Sequence, residues 1–302
     1  MKRAFFIVGP TAAGKSEIAA EVACACEAEV VSVDAFQIYH GLDLLTAKPD
    51  GELLGLAPHH LIGLCAASET MNAERFRTTA LNAIADIQGR GKPVIVVGGS
   101  GMYVKALTHG LSPLPAASAP LRVELDSLTT AELHGKLHAL DPATAAEIDA
   151  QNRRRLVRAL EICLLTGRPA SEQRGRSEPS SPAAGVFVFR DREELYQRIN
   201  QRVETMFANG VVEEVRATGD IGETAGKTLG LEQIRALIAG EISEAECIAQ
   251  IQQATRRYAK RQLTWFSRQT NFEPLNLSKH GVRESIELIT RKARLSFAQH
   301  DD

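Results

Sequence analysis

Eight consecutive residues near the N-terminus, Gly9, Pro10, Thr11, Ala12, Ala13, Gly14, Lys15 and Ser16, spell G-x-x-x-x-G-K-S. Glycines at this spacing let backbone N–H groups turn inward on an oligophosphate, and a helix starting at Lys15 adds its positive N-terminal end. Lys15 would reach the terminal phosphate oxygens, and the Ser16 hydroxyl suits Mg²⁺. The motif defines a phosphate site without saying what the phosphate belongs to. Enzymes that hydrolyse or transfer a terminal phosphoryl group usually carry a Mg²⁺-holding aspartate on a later strand. Here the later apolar run, "VIVV" at 94–97, continues into "GGSG" with no carboxylate. The carboxylate that does follow a strand is Asp34, directly after "EVVSV" at 29–33. In an open parallel sheet that end of a strand faces the ligand crevice. Small-molecule kinases also place an acceptor-binding aspartate there, and an aspartate that only caps a turn would look the same. Ser100, at the start of the next helix, would face the same crevice.

Two basic clusters stand apart from the loop. "QNRRRLVR" at 151–158 holds Arg153, Arg154, Arg155 and Arg158, and "TRRYAKRQLTWFSR" at 255–268 holds Arg256, Arg257, Lys260, Arg261 and Arg268 without an acid. Helical spacing puts Arg257 and Arg261 on one face, beside a stripe of Tyr258, Gln262 and Trp265. The formal net charge is −2. A polyanionic partner would therefore be held by these local patches, not by a global field.

The elements that must position these residues follow from periodicity. Residues 4–8, 29–33, 59–64 and 94–97 read as strands, separated by helical segments at 15–27 and 72–90. Continuous apolar strands alternating with helices imply a parallel sheet covered on both faces. After the Pro/Ala/Ser-rich stretch "GLSPLPAASAP" only helical signals run to residue 166. One strand is expected at 186–189, and the remainder reads as helical, ending in a long segment from Ser243 to about Gln269. The expected fold is α/β: a P-loop parallel sheet core with a helical insertion domain and a helical C-terminal segment. Residues 1–114 form the first part of the core, 115–180 the insertion, and 181–302 the core completion and basic C-terminal helices. With 302 residues, 44% hydrophobic and 24% charged, the composition is that of a globular protein. Five cysteines without metal-ligand spacing read as reduced thiols. "MKRAFF" runs straight into the phosphate loop, so no leader peptide is expected, and no apolar run reaches membrane-spanning length. A cytoplasmic location follows as the expectation.

Taken together, "GPTAAGKS", "VDAFQIYHGLDLLTAKP", "HHLIG", "VGGSGMYVKAL", "GLSPLP", "RRLVRALE", "RINQRVETMFANGVVEEV" and "YAKRQLTWF" resemble the tRNA dimethylallyltransferase (tRNA isopentenyltransferase) family, in order over about residues 4–268. The resemblance implies that the loop holds the diphosphate of dimethylallyl diphosphate, an alkyl donor. The acceptor would be N6 of the adenosine 3′ of the anticodon, and the partner the tRNA anticodon arm; a monomer is expected. By motif match Asp34 would be the general base. Ser100 would lie near the leaving diphosphate, Lys15 would act on it, Ser16 would hold Mg²⁺, and Lys227 would bind phosphate. Ala35, Phe36 and Gln37 would contact the target nucleotide, Arg122, Arg154, Arg155 and Arg158 the tRNA from the insertion, and Arg257, Lys260, Arg261 and Gln262 from the C-terminal helix. The chain departs from the family at Ala35, where serine is usual, at Gly63, where aspartate is usual, and at Leu231, where tyrosine is usual. A small-molecule P-loop kinase and a non-catalytic RNA-binding relative are the alternative readings.

Overall fold

In a computed structural model of the chain, the structure describes residues 3–173, 183–269 and 271–299. Six strands, β1 (Ala4–Val8), β2 (Glu29–Ser32), β3 (His59–His60), β4 (Val94–Gly98), β5 (Ala184–Phe189) and β6 (Glu273–Asn276), form one parallel sheet in the order β3-β2-β4-β1-β5-β6. The helices that matter here are α1 (Lys15–Ala25), α2 (Ala73–Gly89), α3 (Gly101–His109), α4 (Ala119–Asp126), α5 (Thr130–Leu140), α6 (Arg153–Thr166), α7 (Arg192–Ala208), α8 (Glu244–Gln269) and α9 (Val282–Ala298). Along β1 the side chains alternate between two buried layers. Ala4, Phe6 and Val8 pack with α2, α3, α7 and α8, whereas Phe5 and Ile7 pack with α1 and α9. A strand buried on both faces is apolar except where a polar side chain finds a partner, so β1 and β4 read as near-continuous hydrophobic runs while β2 carries a buried Glu29 paired with His60 and Arg90.

The order β2-β4-β1 sets three strand ends side by side. The phosphate loop leaves β1, the "GGSG" turn leaves β4, and Asp34 follows β2. The chain moves outward from β1 in one direction to β4 and β2 and in the other to β5, so the crevice at a change of direction falls where the loop is.

Two strands differ from the sequence expectation. β6 was expected to be helical; it pairs in parallel with β5 at the sheet edge and contains Pro274. An edge position tolerates the missing proline N–H, and four residues are too few to show alternation. β3 is two residues long instead of six, because Leu61 turns to φ 64° and Gly63 to φ 59°, which ends extended pairing.

The chain divides into two compact units, Met1–Thr108 with Ser181–Asp302, and His109–Ser180. The second boundary lies outside the described residues. The smaller unit is helical, with a core of Leu125, Leu133, Leu137, Leu156 and Leu160. Its α5 opens on a reciprocal cap between Thr129 and Glu132. Among the described residues no helix is long and apolar enough to cross a membrane.

Candidate active site

The phosphate loop is pinned from several sides. A Cβ on Gly9 would stand 2.1 Å from the Val188 carbonyl oxygen of β5, so only glycine lets the loop pass that strand. Lys15 Nζ donates to the Pro10 carbonyl at 2.7 Å. Burial pulls the Lys15 ammonium down to about 8, against the opposing charge of Asp34 and with that of Arg202. Three arginines hold the loop from the β5–α7 side. Arg190 Nε donates to Ala13 O and Arg198 Nε to Ala12 O, each at 2.9 Å, and Arg202 donates to Thr11 Oγ1 at 2.9 Å and to Thr46 O at 3.2 Å. Burial lowers the pKa of Arg198 and Arg202; Arg190 lowers Arg198 further, and Asp34 opposes the shift at Arg202. Arg190 is paired with Glu194; Lys15, Arg198 and Arg202 are partly desolvated cations around one loop, and an anion among them relieves the cost of their burial. Sequence reasoning missed these arginines. Their signal was present: Arg198 and Arg202 stand one turn apart in "RINQRV", beside the fully buried Ile199 and Val203.

Asp34 is half-buried. Its Oδ1 accepts the Phe36 N–H at 2.9 Å and the Gln37 N–H at 3.3 Å, while Oδ2 has no hydrogen-bond partner among the described residues. The carboxylate is thus held by one oxygen with the other free. Ser100 Oγ accepts the Ala35 N–H at 2.9 Å and also meets the Tyr258 phenol. Burial, and then the charge of Asp34, push the Tyr258 phenol above its ordinary pKa, so it stays a neutral O–H. Two chambers meet at Asp34. One is lined by Lys15, Ser16, Gln37, Arg198 and Arg202, the other by Phe36, Leu45, Val203, Met206, Leu229, Ile251 and Tyr258; Thr11, Asp34, Thr46 and Arg202 border both.

Most of the loop, Lys15, Ser16, Asp34, Phe36 and Gln37 therefore converge, although the Gln37 amide is tied to Ala47 O at 3.0 Å and to Ser32 Oγ at 3.2 Å. Other residues assigned from the sequence are placed outside this convergence or are engaged within the protein. Lys227 lines neither chamber and pairs with Glu223 at 2.5 Å on the surface. Ser100 is buried beside the Asp34 turn, where its hydroxyl accepts from the Ala35 N–H, and it lines neither chamber. Gln262 faces inward, where it bonds Thr11 and Gly99. Arg122 and Arg158 both hold the fully buried Glu161, at 3.2 and 2.6 Å, and Arg158 also caps Pro115 O. Arg154, Arg155, Arg257 and Lys260 are exposed without an ion pair among the described residues, and Arg261 lies exposed over the Tyr258 ring at 5.6 Å.

A cation-lined loop at the end of a central parallel strand, with a carboxylate at a neighbouring strand end, defines a P-loop α/β protein. The model of the IPP transferase family matches residues 37–269, and the chain belongs to that family. It is 44% identical over 273 residues to a tRNA dimethylallyltransferase of Geobacter sulfurreducens, covering 86% of this chain and 87% of that protein. Among solved structures, the full-length tRNA isopentenylpyrophosphate transferase of Bacillus halodurans superposes with a TM-score of 0.71 at 32% identity, over 100% of both chains. A eukaryotic dimethylallyltransferase acting on tRNA gives 0.79 at 25% identity, over 95% of this chain and 78% of that one.

Proposed function

We propose that the chain transfers a dimethylallyl group from dimethylallyl diphosphate to N6 of the adenosine 3′ of the anticodon in tRNA, releasing diphosphate. The observation that carries the reading is Asp34 at the seam between a cationic chamber and an apolar one. The diphosphate lies along the loop, with Lys15, Arg198, Arg202 and the start of α1 around its oxygens. As the donor's C1–O bond breaks, charge grows on the departing oxygen, and these fixed cations stabilise it. N6 is a weak nucleophile because its lone pair is conjugated with the ring. The new N6–C1 bond replaces C1–O, the electron pair leaves with diphosphate, and the N6 proton passes to the free oxygen of Asp34. The target base must leave its stack to reach that oxygen, and Phe36 offers stacking surface on the apolar chamber. Arg154 and Arg155 of the helical unit, and Arg257, Lys260 and Arg261 of α8, are exposed cations available to meet phosphates.

Among the described residues no group of three His, Cys, Asp or Glu side chains could hold a metal. The donor set fits Mg²⁺ bound mainly through the diphosphate and water, with the Ser16 hydroxyl as the chain's contribution. When bound, the ion supplies positive charge to the leaving group. The test is direct: incubate the protein with Mg²⁺, labelled dimethylallyl diphosphate and bulk tRNA. Label should enter RNA with the wild type and roughly 10²–10⁴-fold more slowly with Asp34→Asn. ATP turnover with no prenyl transfer would overturn the reading.

A further inference from the structure

Gln262 is 5% exposed on the inner face of α8, and both ends of its carboxamide are used. Oε1 accepts the Thr11 N–H at 2.9 Å and Nε2 donates to the Gly99 carbonyl at 2.9 Å. The two partners belong to different loops, the phosphate loop after β1 and the turn after β4. The fit is close on the turn side. A Cβ on Gly99 would lie 2.3 Å from Gln262 Nε2, and one on Gly101 would lie 2.5 Å from the Trp265 indole, one helical turn further along α8. A side chain at Gly101 would collide with the rigid indole of α8, and one at Gly99 would displace the Gln262 carboxamide. Thr11 is fixed a second time through its hydroxyl, by Arg202. Its N–H, occupied by Gln262, fixes the backbone of the loop at the wall of the cationic chamber, which Thr11 and Gln262 both line.

We propose that Gln262 is a positioning residue that locks the phosphate loop to the β4–α3 turn, so that the donor site is assembled against α8. The proposal rests on the diphosphate reading above. A preorganised loop binds its anion without first paying to order its amides. With the carboxamide gone, the Thr11 amide and the Gly99 carbonyl lose their common partner and the loop is free to drift. The outer face of the same helix carries Lys260 and Arg261, both exposed.

The experiment uses the full chain, with Mg²⁺ and inorganic diphosphate as the probe, titrated calorimetrically without RNA. Gln262→Met keeps the volume and loses both hydrogen bonds; diphosphate should bind it about tenfold more weakly than the wild type. Gln262→Glu distinguishes positioning from packing. At pH 8 its carboxylate still accepts from Thr11 but repels the Gly99 carbonyl and adds a negative charge to the chamber wall, so binding should be at least as weak as in the Met variant. Burial raises a carboxyl's pKa, so by about pH 5.5 the protonated acid donates to Gly99 again. Affinity relative to the wild type at the same pH should then recover to within about twofold. In the transfer assay the donor KM should rise in the Met variant while the tRNA KM stays unchanged. A wild type that binds no diphosphate would sink the diphosphate reading itself. A wild type that binds it, with a Met variant equal to it or a Glu variant whose ratio stays flat across pH, would overturn the positioning role alone.

Discussion

Lys15 titrates near neutrality, held down to about 8 by burial, and this has a measurable consequence. The folded pKa lies below the ordinary value of 10.5, so the neutral amine gains as pH rises through 8. Diphosphate needs the ammonium. Donor affinity should therefore fall as pH rises through 8, and binding at pH 8.5 should take up a proton. Calorimetry in two buffers of different ionisation enthalpy reads that proton directly; Lys15→Ala should bind without the uptake and more weakly by about 1.5–3 kcal/mol. Asp34 and Arg202 should fail in different ways. Asp34→Asn keeps the oxygen that accepts from Phe36 and Gln37 but cannot take a proton. Its kcat should drop by roughly 10²–10⁴-fold with the donor Kd unchanged. Arg202→Ala removes a cation and releases Thr11 and Thr46, so its donor Kd should weaken first. An Asp34→Asn enzyme with wild-type kcat would remove that residue from the chemistry.

At the scale of elements, legibility followed burial symmetry. β1 and β4 are buried on both faces, so their sequences are unbroken apolar runs, and β2 keeps Val30 and Val31 between a buried Glu29 and Ser32; the loop, Asp34 and the "GGSG" turn could be placed from them. β6 borrows its order from the edge of β5, and nothing local announces it. The arginines were harder, because a sequence does not say which cation has a partner. Arg154 and Arg158 look alike in "RRRLVR"; one is exposed, the other is committed to Glu161 within α6. Gln262 read as part of a surface stripe because helical spacing gives faces but not which face is covered. Glu161 has no exposure and is held by Arg122, Arg158 and the Ser118 N–H. Glu161→Ala should therefore release two partly exposed guanidinium groups and the Ser118 N–H and cost about 1–3 kcal/mol. Hydrogen exchange should show the loss across residues 109–173, with the sheet and donor binding unaffected. Equal protection in both proteins would mean the cluster is ornamental.

Over the whole molecule, 35 Lys and Arg stand against 37 Asp and Glu, so binding to a polyanion cannot come from net charge. It has to come from cations that nothing inside the protein has claimed. The structure separates these from the rest: Arg155 and Lys260 are exposed without an ion pair among the described residues, while Arg158 is spent on Glu161 and Pro115. Each free cation that meets a phosphate releases about one counterion, and log K against log salt then steepens by about 0.7–0.9 per contact. We expect tRNA binding to be steeply salt-dependent in spite of the acidic balance. Arg155→Ala and Lys260→Ala should each flatten the slope by about that amount, leaving diphosphate affinity and thermal stability near the wild type. Arg158→Ala should do the reverse, with lowered stability of the helical unit and, in the fraction that stays folded, a slope close to the wild type's. The three slopes can be measured by filter binding of one tRNA across a salt series, with melting curves alongside. A slope near zero in the wild type would remove phosphate contacts from recognition. An Arg158 variant that flattens the slope as Arg155→Ala does, with no loss of stability, would show that ion pairing inside this protein does not predict which cations its partner can use.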